Sequence, residues 1–234
     1  MQKRTKIIVA SIVAGVVVLG ATAAIAGPII YRDVIVGEAE AAPSVTAAPS
    51  ASAETGSTDT ADLSGAWAVG SGSYAGYRVD EVLNGTDVTV VGRTEQVTGA
   101  LQVEGLSLTA AELTVDVASI ETDSGNRDDY FRENAVRVDE HPTATFVLTE
   151  AITTDEAPAV GEVQTIQATG DLTLAGVTRS VTVELEAVLN GETGQVAGSI
   201  PITFADFGVE APNLGFVSVE PTGFIEFSLE LERA

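Results

Sequence analysis

The sequence predicts an all-β domain, a closed barrel or a sandwich of antiparallel strands, preceded by one N-terminal transmembrane helix. Three observations lead to this prediction. An apolar run with basic residues before it opens the chain, a stretch of small and polar residues follows, and apolar and polar residues alternate from residue 63 to residue 234. Alternation with a period of two is typical of antiparallel strands that have one face in solvent.

The N-terminal apolar run covers residues 7–30 and follows three basic residues among the first six. At the helical rise this run spans roughly 36 Å, enough to cross a bilayer core of about 30 Å. Because basic flanks stay on the cytoplasmic side, the rest of the chain is expected outside the cytoplasmic membrane. The sequence therefore predicts a signal anchor over residues 1–36 that holds the protein in the membrane through residues 7–30.

A cleaved secretory signal peptide is the alternative interpretation of this segment. Ala24-Ile25-Ala26 has the small-x-small pattern of a cleavage site, and cleavage there would make the protein secreted. Two features favour the uncleaved anchor: the apolar run is long for a signal peptide, and Pro28 comes just after the candidate site. Tyr31 and Arg32 extend the run with side chains typical of a membrane interface.

Residues 37–62 contain Ala, Ser, Thr, Pro, Glu and Gly and have almost nothing to bury. Segments of this composition do not form a packed core. The sequence therefore predicts a disordered tether, with residues 63–234 as the folded domain.

The charge and the scarce residue types exclude several functions. The chain has a net charge of −23, and after residue 36 it carries seven arginines and no lysine against 33 acidic residues. Such a surface repels phosphate backbones, which argues against nucleic-acid binding. The absence of cysteine excludes disulfides and zinc–sulfur sites, and the single histidine, His141, excludes a site built on several imidazoles. No nucleophile elbow, metal cluster or cofactor loop is present, so we expect neither an enzyme nor a resident cofactor.

Several segments have the alternation of half-exposed strands. Val181, Val183 and Leu185, for example, alternate with Thr182 and Glu184. Asn84-Gly85, Asn190-Gly191 and Gly170-Asp171 are turn signals between such segments. Eight or nine short strands with turns predict a barrel or a sandwich. The predicted strands cover residues 74–83, 87–92, 97–104, 113–117, 143–150, 163–174, 181–187, 195–204 and 225–231.

Residues 120–142 interrupt the alternation with seven acids and three arginines. This segment is longer than a hairpin loop, and long ordered loops are often functional. Residues 127–137 are expected to form a short helix that packs Tyr130, Phe131 and Val136 inward. Two interpretations remain open: a solvated crossover with a small buried face, or a lid over one mouth of a barrel.

Three pieces of sequence, in this order along the chain, resemble the YceI-like family. They are SGNRDDYFRENAVRVDEHPTATF from residue 124, GDLTLAGVTRSVTVELEA from residue 170 and FADFG from residue 204. The most distinctive family pattern is Gly-x-Leu-Thr-x-x-Gly-Val-Thr-Lys/Arg-x-Val, which residues 170–181 match. The resemblance covers about residues 66–232, and the anchor and Ala/Pro-rich tether resemble membrane-anchored actinobacterial members.

This resemblance implies an extended, lipocalin-like antiparallel β-barrel of about eight strands with a long apolar tunnel. The implied ligand is an isoprenoid lipid, either a polyprenyl chain or an isoprenoid quinone, which the domain would carry or sequester at the outer face of the cytoplasmic membrane. The alternative function is a non-enzymatic structural or interaction domain on a membrane stalk, because fold does not determine function. The resemblance also implies that a homodimer can form, although no edge strand in the sequence is diagnostic.

Candidate ligand-binding residues come from the aromatic and polar side chains of the domain. For each aromatic residue, ordinary core packing is the competing interpretation, and for each polar residue it is a structural contact. Family members often carry a His-Ser pair and a second histidine in the first strands, whereas this chain has Gly72-Ser73 and no histidine over residues 77–83. The candidate tunnel residues are Trp67, Tyr74, Tyr130, Phe131, Phe146, Phe204, Phe207, Phe216, Phe224 and Phe227, and the candidate polar mouth consists of Arg127, Asp128, His141 and Asp206.

Overall fold

The computed structural model describes residues 39–47 and 63–234. The predicted anchor over residues 1–36 and the remainder of the predicted tether lie outside the described residues. In the described part of the chain, no helix is long and apolar enough to cross a membrane. Residues 39–47 have no regular secondary structure and contact the outer wall of the domain.

Antiparallel strands account for most of residues 63–234, as the alternation predicts. All of the strands in this part of the chain belong to one sheet. The strands are β1 (Gly65–Val69), β2 (Tyr74–Leu83), β3 (Thr86–Thr94), β4 (Val97–Glu104), β5 (Ser107–Asp116), β6 (Thr143–Leu148), β7 (Ile152–Thr153), β8 (Val163–Leu174), β9 (Val177–Asn190), β10 (Thr193–Thr203) and β11 (Val217–Arg233).

The sheet closes into a barrel because β1 pairs on both sides. Trp67 lies opposite Leu101 of β4 on one side and opposite Arg233 of β11 on the other. The closed ring therefore runs β1-β4-β5-β6-β8-β9-β10-β11, eight strands in all. The β2–β3 hairpin continues the wall alongside the first half of β11, and the short β7 pairs with β5. An all-β, lipocalin-like antiparallel barrel is thus confirmed.

Two of the three predicted turns join strands, and the third prediction is wrong. Asn84 and Gly85, with φ angles of 51° and 79°, link β2 to β3, and Gly191, with φ of 73°, links β9 to β10. Gly170, however, lies inside β8, where a Cβ atom would come within 2.3 Å of the ring of Phe146. The glycine at residue 170 therefore allows the ring of Phe146 to approach the strand, and the turn falls later in the chain, at Ala175-Gly176.

The segment that interrupts the alternation forms a helical crossover between β5 and β6. It contains a 3₁₀ turn (Val117–Ser119), the helix α1 (Gly125–Tyr130) and a π-helical turn (Phe131–Ala135). A second 3₁₀ turn, Phe204–Phe207, follows β10. Val117 and Val136 of the crossover are both 3% exposed and pack into the same core cluster as Phe207. We call this end of the barrel the far end.

Candidate ligand cavity

An apolar cavity of about 700 Å³ lies in the barrel interior and extends towards the end opposite the crossover. Its wall consists of the inward-facing positions of most strands, including Leu101 of β4, Leu113 of β5, Leu185 of β9 and Leu229 of β11. These residues alternate with outward-facing polar residues, so the cavity wall follows directly from the period of two. Its volume is within the range of roughly 300–1,000 Å³ that is typical of small-molecule sites.

The cavity reaches the surface at the barrel end where the β4–β5, β6–β8 and β9–β10 connections lie, which we call the mouth. Its lining there includes Gly105 and Leu106 of the first connection and Asp155, Glu156 and Pro158 of the second. Leu106 is 39% exposed, and Val160 and Val163 nearby in sequence are 54% and 43% exposed. The mouth is therefore an apolar opening that bears carboxylates.

Three of the predicted tunnel aromatics, Trp67, Phe146 and Phe227, line this cavity. Trp67 is 5% exposed, its Nε1 donates a hydrogen bond to the carbonyl oxygen of Leu63 at 2.9 Å, and the guanidinium of Arg233 lies 4.9 Å from the ring centroid. These contacts hold the indole at the mouth. Phe227 also contacts both core clusters, and its ring lies above Gly198 of the neighbouring strand.

Four other predicted tunnel aromatics lie at the far end, outside the cavity lining. Phe131 stacks on Tyr77 with ring centroids 4.9 Å apart and an interplanar angle of 23°. Phe207 is 3% exposed in the far-end core, and the ring of Phe204 packs over Gly223. Tyr130, the last residue of α1, is half-buried. The rings of Phe131, Phe204 and Phe207 pack in the far-end core.

Tyr74, Phe216 and Phe224 lie on the outside of the barrel. Phe216 and Phe224 are 59% and 43% exposed. Phe224 faces outward because it precedes Ile225, which lines the cavity, and successive side chains of a strand point to opposite faces. Tyr74 supports the guanidinium of Arg93, which lies 4.5 Å from its ring centroid. The aromatic residue type therefore did not distinguish the two faces of the wall, whereas the alternation does.

The polar candidates Arg127 and Asp128 lie at the far end and have separate partners. Nη2 of Arg127 donates to Glu81 Oε1 at 3.0 Å, and Nη1 donates to Asp123 Oδ1 at 2.5 Å. Burial alone would lower the pKa of Arg127, but the hydrogen bond and negative charge of Glu81 outweigh it and raise the pKa. Asp128, 6% exposed, accepts hydrogen bonds from the backbone N and Oγ1 of Thr122. Among the described residues, no hydrogen bond or ion pair joins Arg127 or Asp128 to Asp206.

His141 and Asp206 also lie away from the mouth. The ring of His141 packs over Gly176, where a Cβ atom would come within 2.4 Å of its Cε1. Asp206 is exposed in the second 3₁₀ turn, and its backbone oxygen accepts a hydrogen bond from Arg179 Nε at 2.9 Å. Sequence reasoning missed Glu81 at this end. Glu81 lies in a strand with alternating residues, where a glutamate is expected to face solvent, but its side chain is buried.

A family model for the YceI-like domain matches residues 68–231, which is nearly the whole barrel. The chain belongs to the YceI-like family. The YceI-like match includes the distinctive stretch from Gly170 to Val181 and the helical crossover, the same segments that carry the resemblance in the sequence. Among curated relatives, a UPF0312 protein of Pseudomonas aeruginosa (strain LESB58) is 29% identical over 128 residues, which are 52% of this chain and 60% of that protein. The chain thus spans less than two thirds of that relative's length.

Solved structures share the YceI-like barrel. A polyisoprenoid binding domain from Saccharophagus degradans, implicated in plant cell wall breakdown, superposes with a TM-score of 0.59 at 20% identity and covers 72% of this chain and 98% of its own. BcnA of Burkholderia cenocepacia superposes with a TM-score of 0.51 at 26% identity, over 66% of this chain and 95% of its own. Both similarities extend over almost the full length of the neighbour.

Proposed function

We propose that this domain binds the chain of an isoprenoid lipid in the apolar cavity and carries or sequesters it at the outer face of the cytoplasmic membrane. The observation that supports the proposal most directly is the cavity of about 700 Å³ with aliphatic walls and an opening at one end of the barrel. An apolar chain that enters it leaves water, and each buried CH₂ group contributes roughly 0.8 kcal/mol. The binding energy therefore comes from chain burial.

Membership of the YceI-like family and the Saccharophagus degradans neighbour, a polyisoprenoid binding domain, support the same ligand class. The predicted anchor over residues 7–30 supports the location, since a single apolar helix with a basic flank would leave the barrel outside the cytoplasmic membrane. The lipid would then be available within reach of the mouth. Carriage or sequestration needs no covalent step.

The direct test extracts lipid from the purified full chain and identifies it by mass spectrometry, followed by a binding titration with geranylgeraniol. Ala110 and Ala111 are a matched pair for this titration, because they are neighbours on β5 and only Ala111 lines the cavity. We expect Ala111→Phe to weaken binding more than about tenfold by filling the cavity, while Ala110→Phe, on the exposed face, leaves it unchanged. The proposal would be refuted if the folded protein contained no co-purified isoprenoid and also did not bind added geranylgeraniol.

A further inference from the structure

The charged groups of the cavity differ in sign from those needed to hold a phosphate. Among the described residues that line the cavity, the only charged side chains are Asp155 and Glu156, both exposed at the mouth. The remaining polar lining residues are threonines and glutamines. The site therefore has two carboxylates where a ligand's head group would emerge and no guanidinium, which is the usual partner of phosphate.

Arg233 is the arginine that comes close to this region, and its guanidinium is already engaged. It lies over the Trp67 ring and donates from Nη1 to the backbone oxygen of Ser64 at 3.0 Å. The other arginines of the barrel belong to the far end or to the outer wall, as the contacts of Arg127 and Arg93 show. Among the described residues, the guanidinium near the mouth is thus held against an indole ring and a backbone oxygen, and it is not among the groups that line the cavity.

We infer that the cavity accepts isoprenoids with an uncharged head group, such as an alcohol or a quinone, and excludes the phosphate and diphosphate esters of the same chain. The inference rests on the proposed function. A diphosphate group at the mouth would lose part of its hydration beside two carboxylates, and like charges a few ångströms apart repel even in a medium of high dielectric constant. An uncharged head has neither cost, and threonine and glutamine side chains can donate to its oxygen atoms.

The test compares geranylgeraniol with geranylgeranyl diphosphate, which have the same chain, in titrations of the full-length protein. We expect the alcohol to bind about tenfold more tightly than the diphosphate at low salt. The difference should shrink at high salt, because screening weakens repulsion between exposed charges. It should also shrink in the double variant Asp155→Asn/Glu156→Gln. The control, Asp139→Asn/Glu140→Gln, neutralises another adjacent Asp-Glu pair at the far end and should preserve the difference.

Each result decides between the two proposals. If both compounds bind equally, or the diphosphate binds more tightly, the head-group inference is overturned while the cavity remains an isoprenoid site. A difference that persists unchanged in Asp155→Asn/Glu156→Gln also overturns the inference. If neither compound binds, the proposed function fails and the head-group inference fails with it.

A second inference rests on a separate cluster of charges on the outer wall of the barrel. Glu226 of β11 is 2% exposed, and Arg78 and Arg93 contact its two carboxylate oxygens at 2.5 Å and 3.8 Å. Two guanidiniums around one carboxylate leave an excess positive charge. The carboxylate of Glu40, which pairs with Arg93, supplies the balancing negative charge.

Residues 39–47, which we call the strap, make further hydrogen bonds to the wall through their backbone. Arg93 Nη2 donates to the backbone oxygen of Ala41 at 2.7 Å, and Arg78 Nη2 donates to that of Glu40 at 2.6 Å. Further along, the backbone N of Thr46 donates to Gln195 Oε1 at 2.6 Å. The strap thus crosses from the β2–β3 side of the wall to β10, and it binds through its backbone as well as through one carboxylate.

The geometry points to the strap as a docked part of the barrel domain instead of a free tether. If residues 7–30 cross the membrane as proposed, only about ten residues separate the membrane from Glu40, a span of at most roughly 36 Å. The strap would then hold the barrel close to the lipid surface. A tether free over residues 37–62 would allow a much larger separation.

A spin label can test the docking in the full chain, because the protein contains no cysteine and Ser44→Cys provides a unique, exposed labelling position. We expect a broad, immobilised electron paramagnetic resonance spectrum that narrows when Arg93→Gln or Glu40→Ala is added. Glu40→Ala removes only a strap side chain, so the barrel fold is left intact. Arg137→Gln, an exposed far-end arginine, should leave the spectrum broad. A narrow spectrum in the parent, or equal narrowing in Arg137→Gln, would overturn the docking.

Discussion

The two ends of the barrel have the same alternating strands but differ in packing: the mouth encloses a cavity, and the far end is filled by side chains. At the mouth, inward-facing aliphatic side chains leave a cavity of about 700 Å³, and the charged groups are confined to the rim. At the far end, the helical crossover fills the interior with stacked rings and buries the carboxylates of Glu81 and Asp128. Because the strand pattern is the same at both ends, the position of the helical crossover decides which end of the barrel is filled and which end keeps a cavity.

The far end should depend most on the ion pair between Glu81 and Arg127. Arg127→Met leaves the buried carboxylate of Glu81 without its cation, so we expect the free energy of unfolding to fall by about 3 kcal/mol. The measurement is urea unfolding of the full chain. The double variant Glu81→Leu/Arg127→Met removes both charges and should recover much of this loss. Arg137→Met changes an exposed arginine and should lower the free energy of unfolding by less than about 0.5 kcal/mol. If Arg137→Met lowered it as much as Arg127→Met, burial of the ion pair would not explain the loss.

Matched valine truncations compare how tightly the two ends are packed. Val136 is 3% exposed in the far-end core, whereas Val103 lines the cavity. Val136→Ala should cost about 2 kcal/mol of unfolding free energy, because it opens a void among packed neighbours. Val103→Ala should cost less than about 1 kcal/mol, since part of the valine side chain already faces a cavity and has fewer contacts to lose. Equal costs would contradict the difference in packing between the two ends.

The smallest expected effect is an alkaline one at Tyr77. Burial raises the pKa of Tyr77, and the nearby carboxylates of Asp128 and Glu81 add to this, against the opposing charge of Arg127. The folded state therefore favours the protonated phenol, and the stability that this contributes is present below about pH 10 and is lost as the pH rises towards the folded pKa. In a pH titration followed by absorbance at 295 nm, the folded parent protein and Tyr77→Phe should show the same change up to about pH 11, because Tyr77 does not ionise there. Ionisation of all tyrosines together while the protein is folded would contradict this.

Local sequence predicted much of the fold and part of the site. The period of two placed the strands, and Asn84-Gly85 marked a hairpin, because both features depend only on neighbouring residues. Residue type alone was a poor guide to the site: of the aromatic residues, Trp67, Phe146 and Phe227 line the cavity, while Phe216 and Phe224 face outward. A ring is equally suited to a cavity wall, a filled core or an exposed face.

Sequence patterns alone were sufficient for the antiparallel β-structure and the YceI-like family, while the division into anchor, tether and domain stays a prediction. The tertiary structure decided which inward-facing residues border a cavity, because that depends on where the crossover packs after the barrel closes. It also decided the partner of Arg127, which is Glu81, 46 residues away, and the docking of Glu40 beside Arg93, 53 residues away. Such contacts depend on barrel closure and strand register, which bring distant segments together and leave no local pattern in the sequence.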